Sequence, residues 1–378
     1  MSTHSADVII IGGGLVGWSA GYELARRGMG VLVADRGEPG FATQAAAGII
    51  APGASLRSLP QISPLAIAAM RHYPDLLQRL EDSQAVDTGY RTVGALFVAM
   101  DETEAETLPD VMRTITARKA DGLGNIGDVT LLSGSEASEL FPALADLPAA
   151  IHLSAAARLD GRLLRVALKR AALSEGAQDL SGDAVVRRDG ATVSVTVSGE
   201  AVRAGAVVIA AGAWSRPIGE QIGVSIPVDP QRGQIVHLAM PDTETETWPI
   251  VEGYHTHYIL TFGPNRVVCG ATRERDSGYD LRLTAGGQHE VLGEALRVAP
   301  GLSTGSIAEW RVGLRPFSAD QLPILGAVPG VDNLFVCTGH GPAGLTLGPY
   351  SGAAVAQLIA GETPEADLSP FSVARFAR

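Results

Sequence analysis

The sequence predicts an α/β fold, a Rossmann-type parallel-sheet domain into which a smaller α+β, antiparallel-sheet domain is inserted. Three observations carry this. "VIIIGGGLVGWSAGYELARRGMGVLVADRG", Val8 to Gly37, reads as strand, glycine turn, helix and strand. "NLFVCTGHGPAGLTLGPYSGAAVAQLIAG" repeats strand, glycine loop and helix near the other end of the chain. Between them lie alternating runs that suit antiparallel strands, and 378 residues exceed what one hydrophobic core usually organises.

In chain order, "DVIIIG" is a continuous apolar, β-branched run, the mark of a parallel strand covered on both faces. Residues 15 to 28 form a helix that Gly28 stops, and "VLVAD" is the next parallel strand. A helical segment runs from about Pro60 to Gln84, with Pro74 expected to bend or split it. "YRTVGALFVAM" is a strand pattern, and residues 101 to 147 read as charged, helical and connective. "LDGRLLRVALKRAALSEG" is a helix with Asp160 as its N-cap. "AVVRRDGATVSVTVSGEAVRAGAVVIAAGAWS" alternates around Asp-Gly and Ser-Gly turns and ends in a buried strand. "RGQIVHLAM", "HYILTFGPNRVVCGAT" and "IAEWRVGLRPF" read as strands of a separate sheet. The expected division is 1–85, 150–225 and 318–378 for the nucleotide domain, and 86–149 and 226–317 for the substrate domain.

Composition narrows the function. Net charge is −12 and the 29 Lys and Arg are scattered, which argues against a nucleic-acid partner. Cys269 and Cys337 sit in apolar runs and are too few for a disulfide framework or a four-cysteine zinc site. The polar N-terminus has no signal-peptide pattern, so a cytoplasmic location is expected, and no apolar run reaches the ~20 residues of a membrane span. Oligomeric state is open, a homo-oligomer included.

Gly12, Gly14 and Gly17 complete G-x-G-x-x-G between strand and helix. The first permits the tight turn, the second lets backbone approach a pyrophosphate, and the third lets helix and strand pack closely. The helix N-terminus offers free N–H groups to phosphate, and Asp35, ~20 residues on, is placed for ribose hydroxyls. FAD and NAD share this motif.

Further segments decide between them. "GFATQAAAGIIAP", "VVIAAGAWS", "YHTHYIL", "VVCGAT", "GLRP", "PILG" and "GHGPAGLTLGP", in this order, resemble the flavoprotein family of D-amino acid oxidase, glycine oxidase and sarcosine oxidase over nearly the whole chain. The glycine oxidase members are the nearest in pattern. The resemblance implies FAD, and noncovalent FAD, because the flavin-linking cysteine of the sarcosine oxidase branch has no counterpart here. It implies cofactor contacts from Gly12, Gly14, Leu15, Val16 and Gly17 at the turn, and from Asp35 and Arg36 after the second strand. Thr43, Gln44, Ala46, Ala47, Gly48 and Ile49 follow in the small-residue segment, with Ala211, Gly212 and Trp214 after the buried strand. Gly313, Arg315, His340, Gly341, Pro342, Ala343, Gly344, Leu345 and Thr346 complete the set.

Glu309, Arg311, Gly313 and Arg315 share one strand face, and an arginine beside a glycine there suits bidentate capture of a carboxylate. The resemblance puts Arg315 at the carboxylate position, with Tyr258 as a second donor. His257 is expected to line the pocket, and two histidines, His255 and His257, are too few for a catalytic metal. The implied reaction is hydride transfer from the α-carbon of a small amino acid, a D-amino acid or glycine, to flavin, giving an imine that water hydrolyses to a keto acid and ammonia. Secondary amines or 2-hydroxy acids would suit the same carboxylate site, and a non-catalytic flavin-binding protein is the remaining alternative. Oxygen or another acceptor would take the electrons. Glycine oxidase-like sequences can carry a further carboxylate-facing arginine after the matching His; Pro342 and Ala343 stand there instead, implying a roomier pocket.

Overall fold

The structure is a computed structural model that describes residues 4–54, 59–83, 87–253 and 255–377. Strand His4–Ile11 lies inside the first sheet, flanked on one side by Val31–Asp35 and then Gln178–Ser181. On its other side run Glu200–Ile209 and then Leu334–Thr338, and all of these pairings are parallel. Successive side chains alternate between two cores, which explains the unbroken apolar run. Val8, Ile10, Val31 and Val33 face helices Leu15–Ala25, Gly161–Ser174 and Gly344–Ile359. Ile9, Ile11, Leu32 and Ala34 face Val186, Val193 and Val195 of a hairpin. Ser198 and Gly199 both have positive φ in the next turn, which turns Thr192–Val197 tightly back into Glu200–Ile209.

The second sheet runs Ser306–Ser318, Val228–Ala239, Arg266–Gly270, Tyr258–Phe262, Ile250–Gly253, Ala95–Ala99, Ala149–Leu153 and Val129–Ser133. It is antiparallel except where Ile250–Gly253 meets Ala95–Ala99. Helix Ala285–Val298 packs Val291, Ala295 and Val298 against Val236, Ile259 and Val267 on one face. Among the described residues no helix is long and apolar enough to cross a membrane.

Several expectations shift. Helix Ser63–Asp82 continues through Pro74. One missing backbone donor is outweighed by the buried stripe Leu65, Ala69, Tyr73, Leu76 and Leu80. The region 101–147 is not helical throughout: Val129–Ser133 is an edge strand whose half-exposed side chains hid the alternation. "YRTVGALFVAM" breaks into Arg91–Thr92 and Ala95–Ala99 at Gly94, which has φ +79°. Asp160 caps its helix as expected, accepting from the N–H groups of Arg162 and Leu163. Because Ala149–Leu153 pairs into the second sheet, we propose a domain boundary after Leu153 rather than at 150.

His237 lies buried in Val228–Ala239, 2% exposed, with neither ring nitrogen hydrogen-bonded. Burial, reinforced by Arg311, pushes its pKa down to about 3. The unfolded chain then binds the extra proton, so this contribution to stability is complete above about pH 6.5 and is lost as pH falls toward 3. Denaturant titrations should show a fall of about 3 kcal/mol between pH 7 and pH 4, flattened by His237→Leu.

Candidate functional site

A single long cleft joins the two sheets and encloses about 1930 Å³ of empty space, its open mouth included. The glycine turn forms one part of its wall. Gly12 has φ +109°, and a Cβ there would stand 2.5 Å from the carbonyl oxygen of Ala210. A Cβ on Gly17 would stand 1.9 Å from the Gly12 oxygen, so the third glycine is needed for helix on strand. Around the position of a Gly14 Cβ there is nothing within 4 Å. Gly14 is also an N-cap with no side-chain bond, so the first N–H groups of helix Leu15–Ala25 are not capped by a side chain. This is a cradle for a phosphate.

Asp35 closes the far end of the turn. Its Oδ2 accepts from the N–H of Gly13 and its Oδ1 from that of Gly37 at 2.6 Å. Arg36 stacks on Trp214 at 5.7 Å, and Trp214 stacks in turn on Tyr279. The small residues of 42–48 make room twice over. Ala45 stands 2.9 Å from the position of a Gly313 Cβ, and Ala46 stands 3.3 Å from that of Gly161. Leu314 donates its N–H to Gly40 at 2.8 Å, tying the second sheet to this loop.

At the opposite end, Gly313 pairs with Gly233 across two strands, a side-chain-free patch that Ala45 approaches on the Gly313 side. The guanidinium of Arg315 lies over that patch, 2.5 Å from where a Gly233 Cβ would be. Arg315 donates from Nη1 to the Thr272 carbonyl at 3.0 Å and lies beside Tyr258, with which it interacts electrostatically. Burial lowers its pKa, partly offset by Tyr258. Burial raises the Tyr258 hydroxyl, with Arg315 pulling it back, so the phenol stays a donor at neutral pH. Nearby, burial pushes the Glu252 carboxyl up to about 7, against the pull of Arg273.

His340 lines the same cleft, 5% exposed, and its Nε2 has no hydrogen-bond partner. Burial alone lowers its pKa to about 4, so it is neutral at pH 7. The helix starting at Gly344 has no side-chain cap, and Gly344 and Leu345 line the cleft at its positive end. An uncapped phosphate cradle at one end, and an unpartnered buried imidazole, an uncapped helix and the Gly233–Gly313 pair at the other, fit an extended flavin dinucleotide.

Most residues expected from sequence meet here: Gly12, Gly14, Leu15 and Val16 of the turn, Asp35, Arg36, Thr43, Ala46, Ala47, Gly48, Ile49, Ala211, Gly212, Trp214, Gly313, Arg315, Tyr258 and His340–Pro342 with Gly344 and Leu345 all line the cleft. Gly17, Gln44, Ala343 and Thr346 are not on its wall. Gln44 instead accepts Arg162 on its carbonyl at 2.8 Å and Gly40 on its side chain at 3.3 Å. His257 is likewise off the main wall: it lines a small adjoining cavity, and its Nε2 meets Glu290 at 3.3 Å on helix Ala285–Val298. Arg311 shares Arg315's strand face yet serves as an ion pair, holding Glu309 at 2.8 Å and, with Arg162, lowering that carboxyl to about 2.

Two cations of the wall escaped the sequence reading. Arg165 donates from Nε to the Gly13 carbonyl at 2.6 Å with its guanidinium 5.0 Å from the Phe41 ring. Only its place on the helix after the Asp160 cap could have pointed there. Arg273, in an irregular segment after strand Arg266–Gly270, had no periodic signal at all.

A family model described as FAD dependent oxidoreductase (DAO) matches residues 7–358. The oxidoreductase YurR of Bacillus subtilis is 44% identical over 97% of this chain and 98% of its own length. The glycine oxidase of Geobacillus kaustophilus is 33% identical over 99% of this chain and 98% of its own. Among solved structures, iminodiacetate oxidase from Chelativorans sp. BNC1 superposes with a TM-score of 0.93 at 40% identity, covering 97% of this chain and 98% of that one. Sequence match, superposition and a cleft shaped for a dinucleotide agree: the chain belongs to the DAO family of FAD-dependent oxidoreductases.

Proposed function

We propose that this chain oxidises the C–N bond of a small amino acid, held by its carboxylate between Arg315 and Tyr258. The observation that carries the reading is that pair, side by side at the Gly233–Gly313 glycine pair in the same cleft as the phosphate cradle. Bound FAD supplies the redox chemistry, as a two-electron acceptor. Arg315 presents a planar fork to a carboxylate, and Tyr258 adds an O–H donor. Together they fix the substrate at this end of the cleft, where proximity and exclusion of water favour loss of hydride from an amine in its neutral form. Water then hydrolyses the imine to a keto acid and ammonia, or a primary amine if the substrate nitrogen was secondary.

FAD is proposed to be noncovalent. Cys337 lies on the cleft wall, but burial pushes its thiol far up, so it is a thiol and not a nucleophile at neutral pH. Likeness to glycine oxidases supports a primary amine. Likeness to iminodiacetate oxidase supports a secondary amine, and the arginine-free Pro342–Ala343 loop leaves room for an N-substituent.

The test is anaerobic mixing of the yellow protein with glycine, D-amino acids, L-amino acids and N-substituted glycines while the visible flavin band is followed. Bleaching by one of these classes is expected; a flavin that none of them reduces removes the reading. Tyr258→Phe should raise KM about tenfold, as expected for one hydrogen bond to a charged group, with kcat little changed. An unchanged KM in steady-state assays would take the phenol out of the site.

A further inference from the structure

Among the described residues, two cations line the Asp35 end of the cleft, Arg36 and Arg165, and their surroundings differ. Arg36 is already paired: its Nε meets Glu38 at 3.0 Å and its Nη1 meets Asp183 at 3.7 Å, while its guanidinium stacks on Trp214. Arg165, from helix Gly161–Ser174, is held without an acid. Its Nε donates to the Gly13 carbonyl at 2.6 Å, and its guanidinium lies 5.0 Å from the centroid of the Phe41 ring. Among the described residues, neither of its Nη nitrogens has a hydrogen-bond or ion-pair partner.

The acids nearby are occupied elsewhere. Asp35 accepts from the backbone N–H groups of Gly13 and Gly37, and Asp179 is paired with Lys169. Both act on Arg165 only through their charge, and together they do not offset the burial that lowers its pKa. A guanidinium fixed by its Nε and by a ring face keeps both Nη groups free to donate. An anion arriving in the cleft would relieve the cost of burying that charge unpaired.

The cradle beside it is built to receive one. Gly13, whose carbonyl anchors Arg165, sits between Gly12 and Gly14 of the turn, and the first N–H groups of helix Leu15–Ala25 have no side-chain cap. Those N–H groups offer only partial charge, whereas a pyrophosphate brings full negative charge.

We propose that Arg165 is the counter-ion of the FAD pyrophosphate, supplying the full positive charge that the glycine turn lacks. The residue lies 152 positions beyond Gly13, so the bound phosphate also ties helix Gly161–Ser174 to the turn. This role follows from the cofactor alone and holds whichever substrate is oxidised.

The experiment uses the full-length apoprotein and two probes, ADP and adenosine, each titrated in competition with FAD, whose flavin fluorescence reports binding. The probes share ribose and adenine and differ in the diphosphate. Arg165→Gln is expected to weaken ADP by roughly tenfold to a hundredfold, the range for a hydrogen bond to a charged group, and to leave adenosine unchanged. Arg165→Lys should recover part of the ADP affinity, because the charge returns without the planar fork. FAD affinity should fall in step with ADP, and in Arg165→Gln it should depend less on salt than in wild type. Unchanged ADP affinity overturns the assignment. So does an equal loss for both probes, the signature of a ribose contact or of mere support for the turn. Should Arg165→Gln not fold, Arg165→Met carries the same comparison. A wild-type FAD affinity that stays constant as salt rises overturns the assignment without any variant.

Discussion

Replacing Arg315 by Ala is expected to lower kcat/KM for a carboxylate substrate by about 10²- to 10³-fold while FAD stays bound, the usual cost of truncating one partner of a desolvated, hydrogen-bonded charge pair. The guanidinium has no surrogate at depth. Gly233 gives it a flat seat, the Thr272 carbonyl fixes its orientation and Tyr258 lies beside it. Arg315→Lys should recover only a small part of the activity, because an ammonium cannot make the two parallel hydrogen bonds of the planar fork. Steady-state kinetics and the flavin-to-protein absorbance ratio check both halves. Full activity in Arg315→Ala would remove this residue from the site; loss of flavin would make it a cofactor residue first.

The glycine turn gives the second large effect, and it separates folding from cofactor binding. Gly17→Ala places a methyl 1.9 Å from a backbone oxygen that belongs to the parallel strand's own turn. Neither partner is a flexible side chain, so roughly 3 kcal/mol or more of stability should be lost, at the high end for a single substitution. Gly14→Val is different, for its side chain would enter open space within the protein. That space is the approach to the uncapped helix, so Gly14→Val should fold with nearly wild-type thermal stability as apoprotein yet bind FAD about 10²-fold more weakly. Calorimetry of the apoproteins and FAD titration of each variant separate these outcomes. A Gly14→Val protein that purifies fully yellow would contradict the phosphate cradle.

What the sequence made legible follows from how locally each feature is determined. The glycine turn, the Asp160 cap and the helix after His340 depend on a few adjacent residues, and all lie where the pattern places them. Arg315 stood out from Arg311 on the same strand face through the family resemblance of "GLRP", and it lies on the cleft wall whereas Arg311 does not. Elements set by tertiary packing were harder to read. The helix through Pro74 is held by its buried stripe, and Val129–Ser133 pairs at a sheet edge with little burial to pattern it.

The site shows the same division. His257 and Tyr258 are adjacent in sequence, yet only the tyrosine reaches the main cleft, while the histidine, just ahead of strand Tyr258–Phe262, stays in the adjoining cavity facing Glu290. A resemblance spread over "YHTHYIL" does not resolve that. Arg165 and Arg273 reach the cleft from a helix and an irregular segment, through distances of chain no short motif spans. Their positions are visible only once the two sheets are placed around one cavity.

If an amine substrate is anchored by its carboxylate at the Arg315–Tyr258 end, removing the carboxylate charge must slow its oxidation. Anaerobic stopped-flow reduction of the flavin by a carboxylate substrate and by its neutral primary amide tests it most directly, since the pair keeps the oxidisable C–N bond and removes only the charge. Rapid, saturable bleaching by the acid is expected, with reduction by the amide slower by about 10²-fold or more at equal concentration. Equal rates with acid and amide would contradict it.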